Sequence, residues 1–132
     1  MERTYVMLKP DALERGLVGN ILTRIENKGY KIIDIKKFTL TKEILDDHYS
    51  HKMAKPFYPE IVSFMTRGDV IGIIVEGNGA IEGIRLLAGP TYYTEAHPGT
   101  IRGDFANSLG ENLIHASDSK ENAAIEIARF FG

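Results

Sequence analysis

The stretch VIGIIVEG, residues Val70–Gly77, is almost continuously apolar and rich in β-branched side chains. Such a run predicts a central strand that is buried on both faces of a sheet. Three other segments predict further strands: Thr4–Leu8, which Pro10 ends, Lys31–Leu40 and Asn112–His115. The apolar positions of Lys31–Leu40 change parity along the segment, which predicts a β-bulge or a local twist.

The segments between these strands carry apolar residues at the three- and four-residue spacing of helices. Helices are predicted at Leu17–Ile25 with an end at Lys28-Gly29, after Thr41 through Tyr49, at Pro59–Met65, at Ala80–Ala88 and after Asp118. Residues 89–104, GPTYYTEAHPGTIRGD, predict a long irregular connection with an ordered shape. Strands that alternate with helices predict an α/β sandwich in which helices cover a sheet.

The chain has 132 residues, a formal net charge of −2 and no cysteine. This length predicts a single compact domain over residues 1–132. The balanced charge argues against nucleic-acid and membrane partners, and no apolar run predicts a membrane span or a signal peptide. The absence of cysteine excludes a disulfide scaffold and favours a reducing compartment, so we expect a cytoplasmic protein.

The last helix lies in the segment NLIHASDSKENAAIEIARFFG, residues 112–132. Asp118 and Glu121 have the spacing of a capping box, with Asp118 as the predicted N-cap. The predicted apolar stripe consists of Ala124, Ile127, Ala128 and Phe131, and the opposite side of Ser119, Asn122 and Glu126. His115 therefore lies just upstream of a helix N-terminus, where an anion is favoured.

Two interpretations of His115 stay open from these features. One is an incidental surface histidine that precedes a capped helix. The other is a nucleophile, because the Glu126 carboxylate is placed to reach back to one ring nitrogen and make the other more basic. His48, His51 and His97 lack such neighbours in the sequence, so we interpret them as surface or packing residues.

Two cationic residues have similarly open interpretations. Arg85 shares a helix side with apolar residues, which indicates either an ion pair with Glu82 or an arginine held at a cleft for a phosphate. Lys9, at the end of the first strand, is either a lysine that extends to solvent or a phosphate ligand. No P-loop pattern is present, and GNGAIEG has Glu82 where the dinucleotide fingerprint needs its last glycine, so side chains must build any phosphate site.

Five segments, in order along nearly the whole chain, together resemble the nucleoside diphosphate kinase family. They are LKPDALERGLVGNIL, the pair His48-Tyr49, KPF at residues 55–57, PGTIRGDFA and NLIHASDS around His115. The resemblance implies a ferredoxin-like βαββαβ fold of the α+β class, with a four-stranded antiparallel sheet covered by helices. The alternating pattern alone would also suit a parallel sheet.

The resemblance implies reversible γ-phosphoryl transfer from a nucleoside triphosphate to a nucleoside diphosphate, by a ping-pong mechanism that maintains nucleoside triphosphate pools. His115 matches the pros-phosphohistidine nucleophile of the family, and Ser117 and Glu126 match its supporting pair. Lys9 matches a ligand of sugar and phosphate. The other matches are Tyr49 and Arg102 near the transferred group, Arg85 and Thr91 at the β-phosphate, Asn112 at the ribose, and Phe57 and Leu109, with Ile61 beside them, around the base.

The resemblance also implies a homo-oligomer whose partners are nucleotides such as ATP, ADP, GTP and GDP, with Mg²⁺ carried by the nucleotide phosphates rather than by protein side chains. Four features depart from the family pattern: Ala116, His51, the segment TYYTEAHPG, and an end at Gly132 where many relatives continue. The last two leave both a tetramer and a hexamer open. None of the four replaces a matched catalytic residue.

Two other classes stay under consideration. A nucleotide-binding regulator of this fold would keep the phosphate ligands without turnover, but His115, Ser117 and Glu126 are all retained. A ferredoxin-like nucleic-acid-binding domain would need basic and aromatic residues on an exposed sheet face. The balanced charge and the apolar Val70–Gly77 strand do not favour that class.

Overall fold

The computed structural model describes residues 1–132, which form one four-stranded sheet with helices on both faces. The strands are β1 (Glu2–Leu8), β2 (Lys31–Phe38), β3 (Val70–Gly77) and β4 (Ile114–Ala116). Their spatial order is β2-β3-β1-β4, and all three pairings are antiparallel. The βαββαβ arrangement is therefore confirmed, and the parallel alternative is wrong.

Seven α-helices accompany the strands. They are α1 (Pro10–Glu14), α2 (Val18–Asn27), α3 (Lys42–His48), α4 (Tyr58–Met65), α5 (Ala80–Ala88), α6 (Ile101–Phe105) and α7 (Lys120–Phe131). Short 3₁₀ turns occupy Ser50–Lys52 and Tyr93–Glu95. None of the helices combines the length and the apolar character needed to cross a membrane.

Strand β3 is central, as its sequence predicts, because β2 and β1 pair with its two edges. Alternate residues of β1 and β3 enter two separate cores, one on each face of the sheet. The larger core packs under α1, α2, α5 and α6 and includes Val6, Leu8, Ile73, Val75 and Ile114. The smaller core packs under α3, α4 and α7 and includes Tyr5, Met7, Leu45, Met65 and Phe130.

Several element boundaries differ from the sequence predictions. The bulge in β2 is present but lies between Ile32 and Asp34, earlier than the change of apolar parity indicates. Residues 89–104 are not wholly irregular, because Thr100 accepts a hydrogen bond from the Gly103 amide and so caps α6. The last strand begins at Ile114 rather than Asn112, since Leu113 has a left-handed φ of 78°.

The start of α7 also differs from the prediction. Ser119, not Asp118, is the N-cap, and its side chain accepts a hydrogen bond from the Asn122 amide. The Asp118 carboxylate instead accepts from the Asn122 side chain at 2.6 Å. The two residues are adjacent and both have capping side chains, so composition alone does not separate them.

The apolar stripe predicted for α7 is confirmed at Ile127 and Phe131, which pack against the smaller core, and is wrong at its two alanines. The buried positions of the helix are Ala123, Glu126 and Phe130, whereas Ala124 and Ala128 are exposed. Helical periodicity predicts Glu126 on the polar side together with Ser119 and Asn122, and an unpaired carboxylate is costly to bury. It is buried here because two side chains donate hydrogen bonds to it.

Candidate active site

The site is built around β4, whose three residues alternate between the two faces of the sheet. Ile114 and Ala116 enter the larger core, so His115 faces the opposite side, toward α7. The backbone before β4 is fixed at Leu113, whose amide donates to Asp11 Oδ2 at 3.1 Å and whose carbonyl accepts from the Lys9 amide at 2.9 Å. Burial raises the pKa of Asp11, although the charge of Lys9 and its own hydrogen bonds oppose this. These contacts hold the strained Leu113 and so set the position of His115.

The side chains of His115 and Ser117 converge on one oxygen of Glu126. Glu126 Oε1 lies 2.8 Å from His115 Nε2 and 2.5 Å from Ser117 Oγ. Burial acts to raise the pKa of Glu126, but the hydrogen bonds and charge of these neighbours outweigh it and lower that pKa overall. The predicted contact between Glu126 and His115 is therefore confirmed.

This arrangement determines which tautomer the neutral His115 ring adopts. An ionised carboxylate can only accept hydrogen bonds, so the Nε2 of His115 must carry the proton that points at Glu126. The lone pair of the neutral ring is then on Nδ1. Because the His115 side chain is about one quarter exposed and lines the cleft, this nitrogen is available for chemistry.

His48 is a packing residue, as one of its two predicted interpretations has it, but it packs within the same site. Its ring is nearly perpendicular to that of His115, with 5.0 Å between the centroids, and both rings line the cleft. Tyr49 packs edge-on against His48 at 4.7 Å, and burial raises the pKa of Tyr49 to about 12, which keeps its hydroxyl protonated. The pair His48-Tyr49 was the signal in the sequence, but reasoning from the sequence assigned a role only to the tyrosine.

Two arginines supply positive charge at the opposite wall of the cleft. Arg102 is anchored by hydrogen bonds to the carbonyls of Gly89, at 2.7 Å, and Ile114, while its buried Nε has no partner. Burial, together with the charge of Arg85, lowers the pKa of Arg102 to about 10. Arg85 donates to the Ala116 carbonyl at 3.3 Å rather than pairing with Glu82, so the ion-pair interpretation was wrong.

Lys9 and Asn112 form a second polar pair next to these arginines. The Lys9 ammonium donates to Asn112 Oδ1 at 2.8 Å, and the side-chain Nδ2 of Asn112 donates to the Leu109 carbonyl at 3.2 Å. Burial is the main cause that lowers the pKa of Lys9 to about 8, with a contribution from the charge of Arg102. Lys9 is therefore a partly desolvated cation that is fixed by Asn112, rather than a lysine that extends into solvent.

The cleft has a volume of about 460 Å³ and contains most of the polar residues predicted from the sequence. His115, Glu126, Tyr49, Arg85, Thr91 and Arg102 line it, and Ser117 is buried behind Glu126. Phe57 and Leu109 do not line it, and both are about half exposed. The structure thus brings His115 together with Arg85, Thr91 and Arg102, whereas Lys9, Asn112 and the predicted base ligands do not line this cleft.

The donor atoms of His48, His115 and Glu126 lie within 4.8 Å of one another, which is a spacing that could hold a metal ion. These donors are already engaged in hydrogen bonds, to Arg129 in the case of His48. Arg85, Arg102 and Lys52 also line the cleft and have no ion-pair partner, whereas the charge of Arg129 is paired with Asp47 and the Asp118 carboxylate accepts from Asn122. This positive charge favours an anion over a bare cation.

The fold and the site define a class of protein in which a histidine faces a cleft lined by arginines. Comparisons with known proteins identify the family. The sequence model of the family described as nucleoside diphosphate kinase matches residues 2–132. A nucleoside diphosphate kinase of Methanocorpusculum labreanum is 52% identical over 99% of this chain and 88% of the relative. That of Thermus thermophilus is 47% identical over 99% of this chain and 96% of the relative.

Solved structures give the same result. The apo nucleoside diphosphate kinase of Encephalitozoon cuniculi superposes with a TM-score of 0.97 at 42% identity, over 100% of this chain and 90% of that one. The halophilic enzyme of Halobacterium salinarum, solved with CDP, gives 0.95 at 46% identity, over 98% of this chain and 87% of that one. The chain belongs to the nucleoside diphosphate kinase family. Its reaction is reversible phosphoryl transfer from a nucleoside triphosphate to a nucleoside diphosphate through a phosphohistidine.

We predict that Lys9 loses its proton near pH 8 in the nucleotide-free protein, because burial disfavours the charged ammonium. The measurement is carbon-13 NMR of the lysine side chains across a pH titration, with the Lys9 signal assigned from Lys9→Met. Asn112→Asp serves as the comparison, because a carboxylate beside the ammonium should raise that pKa. A Lys9 signal that titrates near 10.5, as for an exposed lysine, would contradict the desolvated position.

Proposed function

We propose that His115 is the residue that carries the phosphoryl group, through its Nδ1 atom. The observation that carries this proposal is the shared contact of His115 and Ser117 with one buried oxygen of Glu126. That contact places the proton on Nε2 and leaves the lone pair of Nδ1 for attack. A fixed, neutral imidazole beside positive side chains is what an anionic, phosphate-bearing substrate requires.

In the first half-reaction, His115 Nδ1 attacks the γ-phosphorus of the triphosphate. The new N–P bond forms as the bond from phosphorus to the β,γ-bridging oxygen breaks, and the diphosphate leaves with that electron pair. In the second, a β-phosphate oxygen of the acceptor attacks the same phosphorus and the N–P bond breaks, which regenerates neutral His115. One site serves both directions because donor and acceptor present the same phosphate groups in turn.

The cations around His115 are proposed to align the phosphates and to offset their negative charge. Arg102 and Lys9 would contact the transferred group, with Lys9 also at the sugar, whereas Arg85 and Thr91 would contact the β-phosphate. The positions of Arg85, Thr91 and Arg102 support these roles, because all three residues line the same cleft as His115. Tyr49 retains its hydroxyl proton and can donate it to a phosphoryl oxygen.

Mg²⁺ is proposed to enter with the nucleotide, bound by phosphate oxygens. The carboxylates at the cleft fit this role poorly as a metal cage, because Glu126, Asp118 and Asp47 are each engaged by neighbouring side chains. Bound to the phosphates, the ion would neutralise part of their negative charge and polarise the reacting group. Arg85, Arg102 and Lys9 would then face the phosphate oxygens that the metal leaves free.

The nucleoside is proposed to extend away from the cleft, with Asn112 at the ribose and Phe57 and Leu109 around the base. Asn112 accepts a hydrogen bond from Lys9, so the proposed ribose ligand is connected directly to a proposed phosphate ligand. Phe57 and Leu109 are about half exposed apolar side chains, which suits stacking of a base at the surface. The CDP complex of the Halobacterium salinarum relative supports nucleotide binding by this fold.

The remaining features follow from family membership and are also proposals. Residues 1–132 form one domain of a cytoplasmic homo-oligomer, and the absence of cysteine suits a reducing compartment. The outer edge of β2 has no strand beside it, and Ile35 on that strand is 43% exposed, which suits contact with another subunit.

We predict that His115→Ala lowers phosphoryl exchange by on the order of 10³-fold or more, because it removes the attacked nitrogen. ADP affinity should change little, since the proposed phosphate and base ligands lie on other residues. The measurement is incorporation of label from γ-labelled ATP into the denatured chain, with acid-labile and base-stable label expected for the unsubstituted protein.

The matched control is His97→Ala, which removes an exposed histidine of the loop before α6 and should keep normal labelling. Substantial exchange by His115→Ala would exclude His115 as the carrier. If the unsubstituted protein bound ADP but took up no label, a nucleotide-binding regulator would be the better description.

We also predict weak discrimination between bases. Stacking on Phe57 and packing against Leu109 accept any base, whereas strong selection needs buried polar groups that a wrong base leaves unpaired. Acceptors carrying A, G, C, U and T should therefore agree within roughly a hundredfold in kcat/KM, with purines favoured by stacking area. The panel is measured against one saturating donor, and exclusive use of one base would contradict an apolar base site.

A further inference from the structure

Arg129 is a residue of α7 that the proposed reaction does not use, yet it makes two directed contacts with α3. Its Nε donates to Asp47 Oδ2 at 2.8 Å, and one terminal nitrogen lies 2.9 Å from His48 Nδ1. The Arg129 side chain is only 17% exposed, whereas that of Asp47 is 69% exposed. The guanidinium is therefore held between a solvent-facing carboxylate and the buried ring of His48.

The contact with Arg129 determines the tautomer of His48. A guanidinium has only donors, so Nδ1 of His48 must be the acceptor and the ring proton must be on Nε2. Burial, and then the charges of His115 and Arg129, lower the pKa of His48 to about 3, although Glu126 opposes this. His48 is accordingly a neutral ring of fixed orientation throughout the neutral pH range.

His48 in turn packs directly on His115. The two rings are nearly perpendicular, and the other faces of His48 are covered by Phe130, at 5.4 Å between centroids, and by Tyr49. Glu126 holds the Nε2 side of the His115 ring, and His48, which belongs to α3, packs against the same ring. The imidazole is thus confined by a hydrogen bond and by a ring whose own orientation depends on Arg129.

We propose that Arg129 and His48 are positioning residues for His115, with Arg129 fixing the His48 tautomer and His48 fixing the plane of the His115 ring. The inference rests on the proposed role of His115 as phosphoryl carrier. The titratable and charged groups that face His48 are Glu126 and Arg129 from α7, His115 from β4, and His51 from the turn after α3. Among these, Arg129 alone donates a hydrogen bond to the His48 ring.

Loss of the Arg129 contact leaves Nδ1 of His48 without its donor, so the neutral ring can change its tautomer and turn. His48 would then no longer hold the plane of the His115 ring, and His115 would lose its alignment with the phosphoryl group. Small misplacements of a reacting atom can cost up to about a hundredfold in rate.

The first test is nitrogen-15 NMR of the histidine side chains in the nucleotide-free protein, with His48 assigned from the signal lost in His48→Asn. We expect an unprotonated Nδ1 and a protonated Nε2 on His48 at neutral pH, and a change of this pattern in Arg129→Met. Arg129→Lys retains a donor and should preserve the pattern. A proton on Nδ1 of His48 in the unsubstituted protein would overturn the proposal, whatever the variants do.

The second test is the single-turnover rate at which ATP phosphorylates the chain. Arg129→Met should lower this rate by roughly tenfold to a hundredfold with ADP affinity within about twofold of normal, and Arg129→Lys should recover much of the loss. The matched control is Arg3→Met, which removes an exposed arginine paired with Glu76 at the start of β1 and should react normally.

The outcomes separate this inference from the proposed function. Normal phosphorylation of Arg129→Met overturns the positioning role while leaving His115 as the carrier. Absence of label from the unsubstituted protein overturns the proposed function, and the NMR test of the His48 tautomer still stands by itself. If Arg129→Met fails to fold, Arg129→Lys and the spectrum of the unsubstituted protein decide the matter.

Discussion

The buried Glu126 carboxylate is the constraint on which the site depends. A carboxylate in this position is stable only if donors satisfy it, and the donors are the hydroxyl of Ser117 and the ring of His115. Both donors lie at or just after β4, whereas Glu126 is two turns into α7. One oxygen therefore joins the last strand to the last helix and fixes the histidine tautomer as well.

The sheet topology places the remaining groups around that contact. Strand β4 pairs only with β1, so the end of β1 brings Lys9 beside Asn112 and the loop before β4. Helices α5 and α6 lie on the other face and supply Arg85 and Arg102. Arg85 and Arg102 thus come from one side of the sheet, and His48 and Glu126 come from the other, with His115 between them.

The sequence was a good guide to elements with strong local patterns. The continuous apolar run predicted β3 as the central strand, and Thr41 and Pro59 predicted the starts of α3 and α4. It was a poorer guide where a distant contact decides the outcome. The burial of Glu126 depends on donors at positions 115 and 117, so periodicity placed it on the polar side.

His48 was missed for the same physical reason. Its importance depends on β4 and α7, which are more than sixty residues away in the chain. The start of β4 was misplaced because the left-handed Leu113 is held by Asp11, another contact between distant residues. Reasoning from spacing nevertheless predicted that a carboxylate on α7 would reach His115, since both residues belong to one short segment.

The contact with Glu126 leaves Nδ1 of His115 as the nitrogen that we propose to carry the phosphoryl group. The most direct measurement is phosphorus–nitrogen correlated NMR of the phosphorylated chain with nitrogen-15 histidine, which identifies the bonded ring nitrogen. We expect a phosphoryl group on Nδ1 of His115, with Nε2 still protonated toward Glu126. A phosphoryl group on Nε2, or on a different histidine, would contradict it.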